Sequence, residues 1–285
     1  MIITVLDGLS SSICSQSGEK ISFGALCVVQ WLYYRSFPFL FALFEVKKGS
    51  NMPVRQIVPG LFECSLGVVN VFLLEDDDGL VLIDTGYPNS ADKILGLVAE
   101  VGHQPQDIKQ IVITHAHPDH IGSLAPLKRA TGARVLVHGL DAPIVRAGTG
   151  FRKIYPSPGL LSQIMFRLFI RNPPVLEPVE VDHELVDGEE LPIAGGIRVY
   201  HTPGHSVGQV AMLWPRHNVL FVGDACANMF GLGLSVAYED FEEGMKSLAL
   251  ISTLDFSIAC FGHGAALTQD AAAKFRKRWA TSAVA

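Results

Sequence analysis

A run of histidine and aspartate side chains lies in the segment THAHPDHIG, residues 114–122. His115, His117, Asp119 and His120 fall within six residues and come directly after an apolar segment predicted to be a strand. Four such side chains at this spacing cannot share one face of a helix or a strand, whereas a loop at a strand end can direct them at two neighbouring points. Imidazole and carboxylate groups together suit Zn²⁺, Fe or Mn²⁺. The segment therefore predicts a metal site.

Three further candidate ligands follow later strands of the chain. His205 lies in HTPGH, Asp224 in FVGDA and His263 in CFGHG, and each has glycine beside it, as tight turns at strand ends require. The chain thus offers seven candidates, five histidines and two aspartates, which is more than one tetrahedral metal needs. Two metals that share a bridging carboxylate and a bridging hydroxide would use all of them.

The elements that must position these residues are short strands and helices. Hydrophobic periodicity predicts strands in meandering groups, each followed by one or two helices, which is not the strict alternation of a doubly wound parallel sheet. Two mixed β-sheets packed face to face with helices outside fit better, so we expect an α+β fold, an αββα sandwich. The predicted strands are 61–66, 69–75, 80–84, 109–114, 134–138, 196–201, 209–214, 218–223 and 257–261, and the predicted helices are 90–101, 121–130, 159–171, 239–254 and 268–280.

From about residue 53 to about residue 277 the chain resembles the metallo-β-lactamase-fold superfamily. The resemblance rests on the H-x-H-x-D-H motif at residues 115–120, on the three later ligand positions in the family's order, and on the Asp-x-Gly at residues 84–86. It implies an αββα fold and a dinuclear metal site. By resemblance, the first metal is held by His115, His117 and His205 and the second by Asp119, His120 and His263, with Asp224 bridging and Asp84 orienting the ligands.

The same resemblance implies a metal-dependent hydrolase with a lactonase-like or glyoxalase II-like ligand set. Two divalent cations lower the pKa of a shared water, so a bridging hydroxide is available at neutral pH to attack an acyl carbon. Zn²⁺ is the expected metal, with Mn²⁺ and Fe as alternatives. Asp119 is the candidate catalytic residue, because beside the second metal it is placed to accept the nucleophile's proton. A serine nucleophile is not expected, because hydroxide supplied by the metals makes a protein nucleophile unnecessary.

The expected substrate class follows from the positions at which the chain departs from branches of this superfamily. Asp224 argues against a true β-lactamase, and Ala227 replaces a tyrosine that many acyl-homoserine lactonases carry. Too few residues follow Thr268 for the helical glutathione-binding region of glyoxalase II. We therefore expect hydrolysis of a small ester, lactone or thioester. A mononuclear iron dioxygenase, a phosphodiesterase, a β-lactamase-like activity and a non-enzymatic binding protein on the same fold are left open.

Residues 142–191 fit the rhythm of strands and helices poorly and are predicted to be an insertion. An aromatic, proline-rich loop is followed there by a predicted amphipathic helix. The insertion would wall the substrate pocket, which favours a hydrophobic acyl group. The candidate pocket residues are Phe151, Tyr155, Met165, Phe169, Asn228 and Met229, and Cys226 is expected to be a small apolar filler and not a nucleophile.

Residues 1–52 differ from the rest of the chain, and the hydrolase domain is predicted to occupy residues 53–285. Residues 21–44 are apolar and aromatic, but Arg35 and Pro38 interrupt them, and a spanning helix needs about 20 apolar residues. Three interpretations stay open. The segment contacts a membrane or a partner, or it packs on the main domain as an extension, or it lies upstream of a natural start at Met52.

Composition limits the remaining classes. The chain has 285 residues, 49% of them hydrophobic and 18% charged, which excludes disorder as its main state. The net charge of −6 argues against a nucleic-acid binder that uses a basic face. Five scattered cysteines without a Cys-x-x-Cys pair argue against a disulfide framework and a thiolate zinc site. We expect a cytoplasmic enzyme with a small-molecule substrate and no nucleic-acid partner, and we leave a homodimer open.

Overall fold

The computed structural model describes residues 54–149, 152–170 and 174–280. The predictions for residues 1–52 and for Phe151 lie outside these ranges, and the prediction for Phe169 concerns a side chain that is not among those described. Within the described ranges, no helix has both the length and the apolar character needed to cross a membrane.

The described residues form β-strands and α-helices with the following bounds. The strands are β1 (Val54–Val58), β2 (Leu61–Ser65), β3 (Asn70–Asp76), β4 (Gly79–Ile83), β5 (Ile108–Val112), β6 (Arg134–His138), β7 (Tyr155–Pro156), β8 (His183–Leu185), β9 (Glu190–Leu191), β10 (Ile197–His201), β11 (Val210–Trp214), β12 (Val219–Gly223), β13 (Cys226–Ala227), β14 (Gly233–Leu234), β15 (Ala237–Tyr238) and β16 (Ile258–Phe261). The helices are α1 (Ala91–Glu100), α2 (Pro118–Ile121), α3 (Leu124–Thr131), α4 (Ala142–Ala147), α5 (Leu160–Phe169), α6 (Phe241–Thr253) and α7 (Ala271–Trp279).

Two mixed sheets carry most of the strands. The first has seven strands in the order β1–β2–β3–β4–β5–β6–β8, antiparallel from β1 to β4 and parallel from β4 to β8. The second has five strands in the order β16–β12–β11–β10–β9, with only the β12–β16 pair parallel. Two short antiparallel pairs, β13 with β14 and β15 with β7, lie outside these sheets.

The two sheets pack against each other through an apolar core that follows the two-residue period of the strands. Phe72 and Leu74 of β3 point into the space between the sheets. The ring edge of Phe72 packs on Phe221 of β12, with ring centroids 5.5 Å apart. Val71 and Leu73 point to the opposite face of the first sheet. Both faces of this sheet are therefore buried, which explains the nearly continuous apolar sequence of its inner strands.

Helices cover the outer face of each sheet. Ile94 of α1 and Leu127 of α3 pack on the first sheet, while Leu248 of α6 and Phe275 of α7 pack on the second. The ring of Phe275 stacks on Phe261 of β16, with ring centroids 6.2 Å apart. The layers thus run helix, sheet, sheet, helix. The predicted αββα sandwich is confirmed.

The segment predicted as an insertion contributes to both sheets. Its last residues form β8, which pairs with β6, and β9, which pairs with β10. β8 and β9 are therefore edge strands of the sandwich, and the part outside the sheets is shorter than the predicted 142–191. That part contains α4, which was not predicted, and the predicted amphipathic helix, observed as α5.

Candidate metal centre

The candidate ligands lie together just beyond the ends of four strands. His115 follows β5, His205 follows β10, Asp224 follows β12 and His263 follows β16. Backbone hydrogen bonds join the two sheets at this place: Val210 N–H donates to the carbonyl of Thr114 at 2.9 Å, and Asn70 N–H donates to the carbonyl of Gly262 at 2.8 Å. The loops that carry the ligands are therefore held in fixed positions relative to each other.

The short helix α2 places the remaining ligands of the motif. Pro118 begins this helix, and its fixed φ suits a first helical position. Asp119 and His120 follow within the same helical turn, whereas His115 and His117 precede it. The predicted loop thus contains one helical turn, which directs its side chains at two neighbouring points.

His115, His117 and His205 form the first group. One ring nitrogen of each lies within 4.8 Å of those of the other two. Nδ1 of His117 and Nε2 of His205 are 2.9 Å apart. All three side chains are buried. The three rings therefore present ligand atoms to one point that water does not reach freely.

Asp119, His120 and His263 form the second group, again with ligand atoms within 4.8 Å of one another. Oδ2 of Asp119 lies 3.2 Å from Nε2 of His263. Asp224 lies between the two groups, since its Oδ2 is 3.1 Å from Nε2 of His263 and 3.6 Å from Nε2 of His205. A carboxylate that reaches a histidine of each group occupies the position of a bridge.

Backbone carbonyls orient two of the histidine rings. Nδ1 of His205 lies 2.8 Å from the carbonyl oxygen of Ala237. Nδ1 of His263 lies 2.6 Å from the carbonyl oxygen of Val68. When these rings are neutral, Nδ1 holds the proton and Nε2 presents its lone pair to the site, as a metal ligand requires.

Asp84 orients two more rings. Its Oδ2 lies 2.8 Å from Nδ1 of His120 and accepts a hydrogen bond from the Thr114 hydroxyl, also at 2.8 Å. The oxygen of that hydroxyl lies 3.1 Å from Nδ1 of His115. Asp84 is buried and has a positive φ of 61°, which its hydrogen bond from the backbone N–H of Thr114 at 2.8 Å helps to hold. One carboxylate therefore fixes a ligand in each group.

Several buried polar atoms of the centre fit divalent cations. Nε2 of His115, Nε2 of His120 and Oδ1 of Asp224 are buried and have no hydrogen-bond partner among the described residues. Leaving a buried polar atom unsatisfied costs about 1–3 kcal/mol. Lone pairs of imidazole and carboxylate that converge on two points are satisfied by Zn²⁺ or similar ions. The donor set therefore suits two such cations.

The histidines of the two ligand groups differ in their protonation. Burial and the neighbouring rings lower the pKa of all three histidines of the first group, so they are neutral near pH 7. Burial acts in the same direction on His120 and His263, but carboxylates outweigh it, Asp224 most strongly, and raise the pKa of His263 to about 10 and that of His120 well above its usual value. Burial would raise the pKa of Asp224, but these two histidines hold it well below its ordinary range. The second group is therefore an ion-pair cluster in the cation-free protein.

Gly262 permits the close approach of the two groups. A Cβ at this position would lie 2.1 Å from Oδ1 of Asp224 and 2.7 Å from Cε1 of His120. Any side chain there would displace a ligand. Glycine beside His263 is thus required for space at the centre in addition to the turn that its sequence position predicts.

Asp141 is a buried carboxylate of the site that the sequence did not predict. Its Oδ2 accepts a hydrogen bond from the backbone N–H of Ala116 at 2.8 Å, and both of its oxygens lie within 2.9 Å of the Ser206 hydroxyl. Arg152 donates to Oδ1 at 2.7 Å. Ala116 lies between two ligands of the first group, and Ser206 follows the third. Asp141 therefore joins the two loops that carry this group.

A groove of about 970 Å³ lies between α5, the β13–β14 hairpin and α7, and we call it the α5–α7 groove. Met165, Asn228 and Met229, three of the predicted pocket residues, line it. Tyr155 is not among the lining residues; it lies on β7, and its exposed ring is 4.9 Å from Nζ of Lys153. The side chain of Cys226 is buried, and burial raises the pKa of its thiol well above the ordinary value. Such a thiol is a poor nucleophile at neutral pH.

Comparison with known proteins agrees with this geometry. A family model described as the metallo-beta-lactamase superfamily matches residues 64–263. The uncharacterized protein YobT of Bacillus subtilis (strain 168) is 29% identical over 208 residues, which are 69% of this chain and 83% of that protein. A hydroxyacylglutathione hydrolase of Cereibacter sphaeroides is 28% identical over 70% of this chain and 66% of its own length. The thioesterase pkgB of Emericella nidulans is 27% identical over 82% of this chain and 60% of its own length.

Solved structures share the fold. A metallo-beta-lactamase family protein from Thermus thermophilus superimposes with a TM-score of 0.59 and 26% sequence identity. The superposition covers 80% of this chain and 79% of that one.

Proposed function

The chain belongs to the metallo-beta-lactamase superfamily and is a metal-dependent hydrolase, and we propose that it acts on a small ester, lactone or thioester with an apolar acyl group. The observation that carries this proposal is the convergence of two three-residue ligand groups on neighbouring points, with Asp224 between them. The names of its relatives, a hydroxyacylglutathione hydrolase and a thioesterase, support an acyl substrate. A cytoplasmic location and a homodimer stay predictions of the sequence.

We assign the residues to two divalent cations, with Zn²⁺ as the expected metal. The first cation would be held by His115, His117 and His205, the second by Asp119, His120 and His263, with Asp224 shared. When bound, such a pair supplies hydroxide at neutral pH and polarises the acyl oxygen. Because the histidines of the first group are neutral near pH 7, that half of the centre needs no proton release before it binds metal.

Protein groups hold and move the protons of the reaction. The Asp119 side chain is 22% exposed, whereas that of Asp224 is 4% exposed, so Asp119 is the more solvent-accessible of these two carboxylates. Burial would raise the pKa of Asp119, but His120 and His263 hold it below its usual range, so the carboxylate is ionised. Asp119 is therefore the group placed to accept a proton from the attacking water and pass it to solvent.

The described cysteines do not offer a nucleophile for the reaction. Within the described residues, the thiols of Cys64, Cys226 and Cys260 are buried, which leaves no exposed thiol nucleophile. Hydrolysis without an acyl-enzyme intermediate is therefore part of the proposal.

Metal analysis combined with a substrate panel tests the proposal. Protein purified from medium supplemented with zinc, manganese and iron would be assayed for metal content, then for hydrolysis of a p-nitrophenyl ester, a lactone, a thioester, a phosphodiester and a β-lactam, with and without a chelator. We expect about two metals per chain and chelator-sensitive turnover of at least one acyl substrate. One iron per chain with O₂ consumption, or turnover of the phosphodiester or β-lactam alone, would contradict the proposal.

A pair of matched variants links the activity to the site. Asp224→Asn should lose one metal and reduce kcat by about 10²-fold or more, because it removes the bridging charge. Asp255→Asn makes the same chemical change on an exposed residue and should behave as wild type. Equal activity of the two variants would show that the chemistry lies elsewhere.

A further inference from the structure

The α5–α7 groove has an apolar wall. Leu161 of α5 is 65% exposed and Phe230, at the tip of the β13–β14 hairpin, is 81% exposed. Met165 lies one helical turn beyond Leu161 and lines the same wall. Apolar side chains grouped in a concave surface of a soluble domain usually mark a binding site. The groove is therefore suited to an apolar chain.

The opposite wall of the groove is cationic. Lys274, Lys277 and Arg278 of α7 line it and are exposed. Among the described residues, no carboxylate lies within 4.0 Å of these three cations, whereas other exposed cations such as Lys246 and Arg129 have such partners. Arg278 also reaches towards the hairpin, since a Cβ on Gly233 would lie 3.9 Å from its Nη2. The wall is thus complementary in charge to an anion.

Two residues that line the groove lie next to candidate metal ligands. Ala227 and Asn228, which line it, are close in sequence to Asp224, and Asn228 N–H donates to the carbonyl of His263 at 3.0 Å. The hairpin that carries Phe230 is closed at its base by the Ser235 hydroxyl, which donates to the carbonyl of Asp224 at 2.6 Å. One end of the groove is therefore fixed beside Asp224 and His263, which is where the acyl carbon of the proposed substrate would lie.

We infer that the α5–α7 groove binds the leaving-group side of an amphiphilic thioester, in which apolar atoms contact Leu161 and Phe230 and a phosphate group pairs with Lys277 and Arg278. Arginine and lysine together are suited to phosphate, arginine through paired N–H donors and lysine as a point charge. This inference rests on the proposed hydrolysis and narrows its substrate. In the reaction, water oxygen bonds to the acyl carbon, the C–S bond breaks, and the products are a carboxylate, the phosphorylated thiol and one proton.

Two thioesters with the same acyl group test the inference. In hexanoyl-coenzyme A, the thiol that leaves is coenzyme A, which contains phosphate groups. In the hexanoyl thioester of N-acetylcysteamine, the thiol that leaves carries no charge. We expect kcat/KM to be about tenfold or more higher for the phosphorylated substrate, because charge-assisted hydrogen bonds to phosphate are stronger than those of neutral groups. This preference should decrease as the NaCl concentration rises.

Variants of α7 assign the preference to the groove. The double variant Lys277→Gln/Arg278→Gln should lose most of the preference while its kcat/KM for the neutral thioester stays within about twofold of wild type. Arg276→Gln is the matched control, because Arg276 is exposed on the same helix but does not line the groove. A preference that survives the double variant, or that Arg276→Gln removes equally, would overturn the inference.

Direct binding separates this inference from the proposed function. Calorimetry would compare octyl phosphate with the uncharged octyl glucoside, each below its micelle concentration. Binding of octyl phosphate that depends on Lys277 and Arg278, without turnover of either thioester, would support the groove and reject the hydrolysis of thioesters. Turnover of both thioesters at equal rates without octyl phosphate binding would support hydrolysis and reject the anion site.

Discussion

The Asp141 carboxylate accepts a hydrogen bond from the backbone N–H of Ala116 at 2.8 Å, and Ala116 is the residue between the first two histidines of the metal motif. The same carboxylate accepts the hydroxyl hydrogen bond of Ser206, which follows His205. Two loops that are distant in sequence thus meet on one buried side chain. Asp141 thus connects the loops of the first group of candidate ligands without belonging to that group.

Asp141→Asn should therefore weaken the first metal site. The amide keeps the size of the side chain but removes one acceptor and the charge that pairs with Arg152. Outer partners of metal ligands are typically worth about 10–100-fold in metal affinity, and we expect a loss in this range. Competition with a chromophoric chelator measures it. Asp182→Asn is the control, because Asp182 also accepts a backbone N–H, that of Val135, at a distant place. Unchanged affinity in Asp141→Asn would show that the loops hold their positions without it.

Thr114→Val should have a related effect on both metals. The hydroxyl of Thr114 donates to Asp84 and lies 3.1 Å from Nδ1 of His115, and valine retains its shape without either contact. We expect metal affinity to fall by about tenfold or more, with the isosteric side chain keeping the fold. Thr114→Ser restores the hydroxyl and should recover most of the affinity. A serine variant no better than the valine variant would assign the effect to packing.

Asp119→Asn tests the proton acceptor. The amide keeps size but cannot take a proton, so kcat should fall by about 10²-fold or more. Metal content measured on the same sample distinguishes a lost proton acceptor from a lost ligand. Asp92→Asn, an exposed aspartate of α1, serves as the control. Unchanged kcat with two metals bound would remove Asp119 from the mechanism.

The described cysteines should be inert towards alkylation in the folded protein. Burial raises the pKa of the Cys64 thiol to about 12 and moves those of Cys226 and Cys260 in the same direction. Because the thiolate is the reactive form, a raised pKa means slow reaction until the pH is far above about 8.5, where an ordinary thiol titrates. Peptide mapping after iodoacetamide treatment at mildly alkaline pH, folded and in urea, measures this. Rapid alkylation of Cys226 with loss of activity would indicate a thiol in the reaction.

Deletion of residues 1–51 should leave metal content and hydrolysis intact. Each candidate ligand lies beyond residue 51, and β1 begins at Val54. Elemental analysis, the acyl assay and size-exclusion chromatography of the shortened chain check the prediction. If the shortened protein is aggregated and free of metal, the predicted domain boundary at residue 52 is wrong.

Much of the fold could be predicted because long strands show their period in the sequence. β6 has the predicted bounds, and most other predicted strands and helices differ from the structure by a few residues at their ends. β8 and β9 were not predicted, since segments of three and two residues carry no periodic signal. Their conformation follows from the unpaired edges of β6 and β10, which only the folded sheets provide.

Some residues of the candidate site could likewise be predicted from the sequence, and others could not. The candidate ligands could be recognised in the sequence because histidine and aspartate at these spacings are typical of metal sites. Asp141 could not, because an aspartate before Ala142 and Pro143 is typical of a helix N-cap. In the structure it makes no capping hydrogen bond, and its carboxylate contacts Ala116. The basic end of α7 was visible in the sequence, but its position opposite α5 depends on tertiary packing.

The base and the tip of the segment from Asp224 to Ala237 contact different parts of the molecule. Its base carries the shared carboxylate and the carbonyl that orients His205, and it is closed by the Ser235 hydroxyl. Its tip, around Phe230, is the exposed wall of the groove. If the groove binds substrate as proposed, substitutions at the tip would alter which molecules are accepted without disturbing the candidate ligands, so substrate preference would diverge among descendants of this chain while the chemistry is inherited unchanged.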